Sequence, residues 1–466
     1  MSFSPDQPQG SAPQNPPAGE QPNPESAVPP VAPQQPVTPQ PPVVPQQLAP
    51  QQPLAPQPAW ALPRVIPQWV ETEPLEYHQL LRGTPRFRWW KPVAGLAIGV
   101  AYYITLSVAF SLIIFMVAAL NTSEPLSQDM LLDLALPDTQ NPLSMLMGLG
   151  SLALMIPAAL LAMLSVGFKP AGRLWSVALR IRWRWIGRTI LPAFVALFVI
   201  NSVGIALSLA FDGGASESVE QALPADFDMN AAIWSVILIL LLVPLQATSE
   251  ELIFRGAFMQ AIGSWRNKTW FVVLLAVGIP LGALMMFAMG GTEGLLEQGS
   301  KALTVMVVVG VVAYLLRKFT GSPFVVIAVP SVLFAMAHIY EIWGMLSVTA
   351  MALTAAWLTW RTGGLEAAIT IHVVNNLFGF MFMVFAFGGE TGQTAEGGSP
   401  FGVIAAICGQ VLYAWWVDRD FRKNDGRRTR IDYVEVLVPV QQVASQPVQQ
   451  DQFAPQNQHQ EGGPQA

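Results

Sequence analysis

Trp234-Ser-Val-Ile-Leu-Ile-Leu-Leu-Leu-Val-Pro-Leu-Gln-Ala-Thr-Ser-Glu250-Glu251-Leu-Ile-Phe-Arg255 is the stretch on which the reading of this chain turns. Two adjacent glutamates close an otherwise apolar run, where solubility gives no reason for charge. Ionisable groups in a membrane helix are costly, so they mark candidate functional sites. Two of the four histidines, His338 and His372, lie in equally apolar surroundings, whereas His78 and His459 lie outside the apolar runs. Buried acid beside buried imidazole is the material of hydrolytic chemistry inside a bilayer.

The composition agrees. The 466 residues are 52% hydrophobic and 12% charged, against roughly 25% charged in soluble proteins. The fold class expected is all-α, a polytopic bundle of about eight to ten membrane spans. A single cysteine, Cys408, excludes an intrachain disulfide framework. The start, Met1-Ser-Phe-Ser-Pro-Asp-Gln-Pro, has neither a basic nor an apolar region and reads as lacking a cleavable signal peptide.

Residues 1–75 are expected to form a disordered Pro/Gln-rich tail, because such a tract cannot bury enough apolar surface to order itself. A transmembrane helical domain is expected over 76–417, and a basic, then Gln-rich tail over 418–466. About ten apolar runs are long enough to span, near 93–120, 143–168, 189–211, 231–249, 269–290, 302–316, 322–341, 343–360, 364–388 and 400–417. Charge between them alternates in sign. The basic loops include Arg82–Lys91, Lys169–Arg188, Arg317 with Lys318, and Arg419–Arg430. The positive-inside rule places these loops and both termini in the cytoplasm of a plasma membrane. Arg173–Arg188, with Trp175, Trp183 and Trp185 interleaved, reads as a band along the anionic inner interface, and nucleic acid is not an expected partner.

Three short patterns carry the candidate chemistry. Glu251 and Arg255 are four apart on one helix face and can pair; an unpartnered buried arginine would be very costly. Glu250 is rotated about 100° from that pair and is free to act as a base. Phe334 and His338 share a face, so the ring could wall the site. His372 and Asn376 also share a face and could donate to a developing oxyanion; Asn375 points elsewhere. Depth decides whether these groups can meet. At about 1.5 Å per residue, Glu250 lies roughly 20 Å, His338 roughly 25 Å and His372 roughly 15 Å above the cytoplasmic turns. This requires one helix running unbroken from about 231 to 264, tilted or bent at Pro244. If the span ended at Ser249, the site would not assemble.

Glu250-Glu251-Leu-Ile-Phe-Arg255, Phe334-Ala-Met-Ala-His338 and His372-Val-Val-Asn-Asn376, in this order, resemble the CPBP family of intramembrane proteases, also called the CAAX prenyl protease type 2 or ABI family. The resemblance covers about 230–390 and departs from the usual pattern by an insertion from Trp270 to Leu316. It implies peptide-bond hydrolysis by an activated water. Glu250 with His338 would activate the water, and His372 with Asn376 would hold the oxyanion. Glu251, Arg255 and Phe334 would support the site. Zinc is the one cofactor that would suit Glu250, His338 and His372, with a fourth position for water. There is no His-Glu-x-x-His, and the leaning is towards no obligatory metal. The implied substrate is a membrane-associated protein or peptide. Two rival readings are a non-proteolytic scaffold or bacteriocin-immunity-type protein of the same family, which loss of a motif residue would favour, and a proton-coupled transporter, which inverted repeats would favour. Neither feature is seen.

Overall fold

The computed structural model describes residues 65–121, 133–134, 136–211, 227–265, 323–338, 340–386, 391–392, 398–424 and 426–439. The tail 1–64, the apolar runs 269–290 and 302–316, the insertion Trp270–Leu316 and the terminal stretch 440–466 lie outside them. Eight of the ten apolar runs coincide with helices. Among the described residues, seven helices are long and apolar enough to cross a membrane. They start at Lys91 (α1, Lys91–Asn121), Pro142 (α2, Pro142–Ala153, continued by α3, Met155–Ser165) and Trp183 (α4, Trp183–Phe211), and then at Met229, Ile342, Glu366 and Pro400.

The fourth span answers the depth question. α5 (Met229–Glu251) passes into a π-helical segment, Leu252–Phe258, and then into α6 (Met259–Ser264) without a break. The whole helix covers 36 residues. Asp228 starts it by accepting from the Asn230 amide, satisfying one of the donors that a helix N-terminus leaves open. The irregularity comes just after the glutamates, where the Met259 amide reaches back to the Phe254 carbonyl. Pro244 lies within α5.

The shorter apolar helix α7 (Pro323–Met336) packs on α8 (Ile342–Thr362). Gly363 ends α8 in the left-handed region at φ 71°, and both its amide and that of Gly364 bond to the Thr359 carbonyl. That tight reversal lets α9 (Glu366–Val384) return beside α5 and α4. α10 (Pro400–Lys423) closes the bundle against α4 and α8. Its start is capped by Ser399, which accepts from the Gly402 amide.

Two short strand pairs accompany the helices. β1 (Val65–Glu71) pairs antiparallel with β4 (Tyr433–Pro439), and β2 (Leu75–Glu76) with β3 (Thr429–Arg430). Strands β1 and β2 begin within or beside the stretch read as a Pro/Gln-rich tail (1–75), and β3 and β4 lie within the stretch read as a basic then Gln-rich tail (418–466). Their pairing joins the two ends of the chain, which neither end's composition can reveal. A 3-10 turn, Tyr77–Gly83, follows β2 and packs on α6.

The basic loops gather with these strands. Arg173 is buried, donating to Asp432 (2.6 Å) and to the Leu80 and Gly83 carbonyls (both 3.0 Å). Arg182 grips Glu366 with Nε (2.9 Å) and Nη2 (2.7 Å). These two arginines of the expected interfacial band thus turn inward to acidic partners remote in sequence, while Trp183 is exposed.

Candidate active site

Three helices bring the predicted residues together. α5 supplies Glu250 and Glu251, and the π segment supplies Arg255. A π-turn widens the helix locally and is frequent at functional sites. Arg255 Nη1 donates to Glu251 Oε1 (3.1 Å), and Nη2 to the Ala352 carbonyl on α8 (3.2 Å). Both members of this pair are fully buried. The expected i,i+4 partnership is therefore present, and a neighbouring helix completes it.

α9 supplies His372 and Asn376. Its rotation is fixed from outside the site. Glu366 is held by Arg182, Thr189 Oγ1 donates to Thr370 Oγ1 (2.8 Å), and Tyr413 donates to the Ala367 carbonyl (2.7 Å). So held, His372 Nδ1 lies 2.8 Å from Glu251 Oε1. A carboxylate oxygen accepts, so Nδ1 donates. The other ring nitrogen, Nε2, lies 3.4 Å from Glu250 Oε2. His372 is thus the histidine in ion-pair range of Glu250, and the expected pairing of Glu250 with His338 is one made through a water.

α7 brings Phe334, and His338 follows its C-terminal end. Phe334 is fully buried and central. Its ring lies 4.7 Å from that of His338, 5.5 Å from that of His372 and 5.2 Å from that of Phe254. The Arg255 guanidinium sits 4.2 Å over the same ring. The aromatic wall expected at 334 is present, and it joins the arginine to both histidines. His338 Nδ1 donates to the Phe334 carbonyl (2.8 Å). In the neutral imidazole this leaves Nε2 as an acceptor.

One participant was missed. Gln246, buried one turn before Glu250, donates through Nε2 to Glu250 Oε1 (2.7 Å). Its Oε1 accepts from Asn376 Nδ2 (3.2 Å). A glutamine inside an apolar span carries the same kind of signal as the glutamates, so it was legible. The Ala352 carbonyl, held also by Ser331 Oγ (3.0 Å), has no sequence signal at all.

The cluster is not saturated. Glu250 Oε2, Glu251 Oε2 and Arg255 Nε are buried without a hydrogen-bond partner. Buried orphans of this kind are rare and call for an explanation. Zinc would need lone pairs converging at about 2.0–2.2 Å. Among the described residues, no three His, Cys, Asp or Glu side chains converge so. His372 directs Nδ1 to Glu251 and Nε2 towards Glu250. The reading proposed for Glu250, His338 and His372 uses no metal.

Two overlapping segments, residues 232–329 and 306–378, match the family model described as Type II CAAX prenyl endopeptidase Rce1-like. They contain all three motifs, and their overlap falls partly in the inserted stretch. No curated protein and no solved structure matches the chain. The resemblance drawn from the motifs is thereby shown, and it supports protease activity at the level of the family. With seven candidate spans among the described residues, this is a multi-pass membrane protein whose C-terminal region is similar to the Rce1-like type II CAAX prenyl endopeptidases of the CPBP family.

Proposed function

We propose that the protein is an endopeptidase that hydrolyses a peptide bond of a membrane-associated protein or peptide, with water activated by Glu250. The observation that carries this reading is the unsatisfied Oε2 of Glu250 beside His372 Nε2, inside a site otherwise tied down by hydrogen bonds. A buried acceptor with no hydrogen bond, whose neighbouring nitrogen stands 3.4 Å away, has capacity for a water or a reacting group.

The charges support a division of labour. Glu250 and Glu251 bring two negative charges, and Arg255 one positive. The proposal takes His372 in its doubly protonated form, with Nδ1–H on Glu251 and Nε2–H free to meet an oxyanion. Water held between Glu250 and His338 Nε2 would lose a proton to Glu250 as its oxygen attacks the carbonyl carbon. The oxyanion so formed would be met by His372 Nε2–H and by the second N–H of Asn376, whose first N–H is on Gln246. The carbon–nitrogen bond would then break as Glu250 returns the proton to the leaving amine. Glu251 would hold His372 through Nδ1, fixing its tautomer and orientation. The site would run without a resident metal.

The substrate is read as membrane-anchored because the site lies within the helical bundle. The basic end, where Arg173 meets Asp432 between β3 and β4 and Arg182 meets Glu366, is assigned to the cytoplasmic face of a plasma membrane. The test compares new peptide termini in membranes from cells expressing wild type or Glu250→Ala at matched levels. Termini unique to wild type are expected; identical profiles from a folded, abundant protein would sink the reading.

A further inference from the structure

The inference rests on the reading of Glu250 and Asn376 as two halves of one hydrolytic site. Gln246 is buried and touches both halves. Hydrogen-bond direction leaves its amide little choice. An ionised carboxylate only accepts, so the Gln246 nitrogen must face Glu250. The Gln246 oxygen then faces Asn376 and can only accept, so Asn376 must turn its nitrogen towards it. Asn376 Oδ1 is thereby directed elsewhere, where Asn375 Nδ2 lies 3.4 Å away. With Gln246 removed, only the 3.4 Å contact from Asn375 Nδ2 opposes a flip of the Asn376 amide, and a flipped amide offers oxygen where an oxyanion needs a donor. The Glu250 carboxylate would lose its only hydrogen bond among the described residues.

We propose that Gln246 is a positioning residue for catalysis: one amide bridges the two helices, fixing the Glu250 carboxylate and the direction of the Asn376 amide together. The bland alternative is a buried glutamine that merely satisfies its own polar atoms. The two differ in what a carboxyl group at this position should do. A protonated carboxyl has one donor and one acceptor and can replace the amide in the bridge. An ionised one sets a second carboxylate against Glu250. Around position 246 the ionisable groups are Glu250, Glu251 and Arg255 on its own helix, His372 on α9 and His338 beyond α7.

The experiment uses the full chain reconstituted in liposomes. Its probe is an internally quenched peptide spanning the strongest terminus unique to wild type over Glu250→Ala. Variants Gln246→Met and Gln246→Glu are measured from about pH 8 to about pH 5, a range that reaches towards the ordinary Glu pKa of about 4.3. For Gln246→Met, kcat is expected to fall about 10²-fold with KM little changed, as for a misplaced catalytic group. Its ratio to wild type should not vary with pH. Gln246→Glu should be at least as impaired at high pH, and its ratio to wild type should rise at least about tenfold on acidification.

Melting temperature gives a second readout that needs no substrate. A carboxyl forced against Glu250 has its folded-state pKa raised. The stability of Gln246→Glu relative to wild type should thus be complete at acid pH and lost as pH rises through that pKa. Gln246→Met should show a constant offset. A Gln246→Met enzyme with kcat within about twofold of wild type would overturn the proposal. So would a Gln246→Glu enzyme without acid recovery in both readouts. If wild type cleaves no better than Glu250→Ala, the peptidase reading itself fails. The melting data then still decide whether the bridge exists, now as a purely structural device.

Discussion

Among the described residues, arginine is buried against acid at the basic end and in the candidate site, and the two are built differently. At the basic end, Arg173 meets Asp432, Leu80 and Gly83, while Arg182 meets Glu366 and the Thr362 carbonyl (3.0 Å). These groups are surrounded by acceptors, as a structural lock should be. In the candidate site, Arg255 keeps Nε without a partner, and each glutamate keeps one bare oxygen. The first cluster joins segments 259 residues apart; the pair in the second is four residues apart on one helix. Saturated hydrogen bonding fits a fastening, and residual capacity fits a place where a further molecule is to be bound. Burial alone would not have separated the two.

The sharpest way to break this comparison is to remove the acid and base from the site. Glu250→Ala and His338→Ala are each expected to lower kcat by about 10²–10⁴-fold, the usual weight of general acid–base catalysis, with melting temperature little changed. A destabilised but active Glu250→Ala would reverse the roles assigned to the clusters. Next in size is Asn376→Ala, for which loss of an oxyanion donor predicts about 10²–10³-fold in kcat. Asn375→Ala should stay within a few-fold. Equal losses from both would show that the amide pair acts only through packing.

The fastening should respond in stability instead. Asp432→Ala leaves Arg173 buried without its charge partner, at a cost of about 3–5 kcal/mol. Thermal unfolding should register this, with catalysis per folded molecule preserved. Replacing both partners, as Arg173→Met with Asp432→Leu, should recover much of the loss. If it does not, the carbonyl bonds to Leu80 and Gly83 matter more than the ion pair.

The smallest effect concerns the exposed strand pair. Tyr433 bonds Glu71 across it (2.5 Å), and that bond, with the carboxylate charge, raises the phenol's pKa. A raised folded-state pKa means that the contribution is present below the ordinary tyrosine value of about 10 and is lost as pH rises through the higher one. Absorbance titration of wild type against Tyr433→Phe should reveal one tyrosine titrating late. Its absence would indicate that β1 and β4 do not pair in solution.

Much of this was readable in advance where the signal is local. Glu251 and Arg255, Phe334 and His338, and His372 and Asn376 each share a face because a helix brings every fourth residue into line. The unbroken helix through Glu250 followed from requiring one depth for all the groups. Gln246 carried the same signal and was passed over because it belongs to no motif. That His372 stands in ion-pair range of Glu250 was not legible, since it depends on how α9 is rotated. That rotation is set by Arg182, Thr189 and Tyr413, none of them in the site.

By itself the sequence determined the class of the protein, the approximate positions of its described spans and the six polar residues that converge with Phe334. Those properties follow from composition and helical period, which are local. Only the tertiary structure decided that the two ends of the chain pair with each other, that Arg173 and Arg182 turn inward, and that one glutamine links the two halves of the site. Each of these rests on contacts between residues far apart in the chain, and no period along the sequence encodes the angle at which one helix faces another.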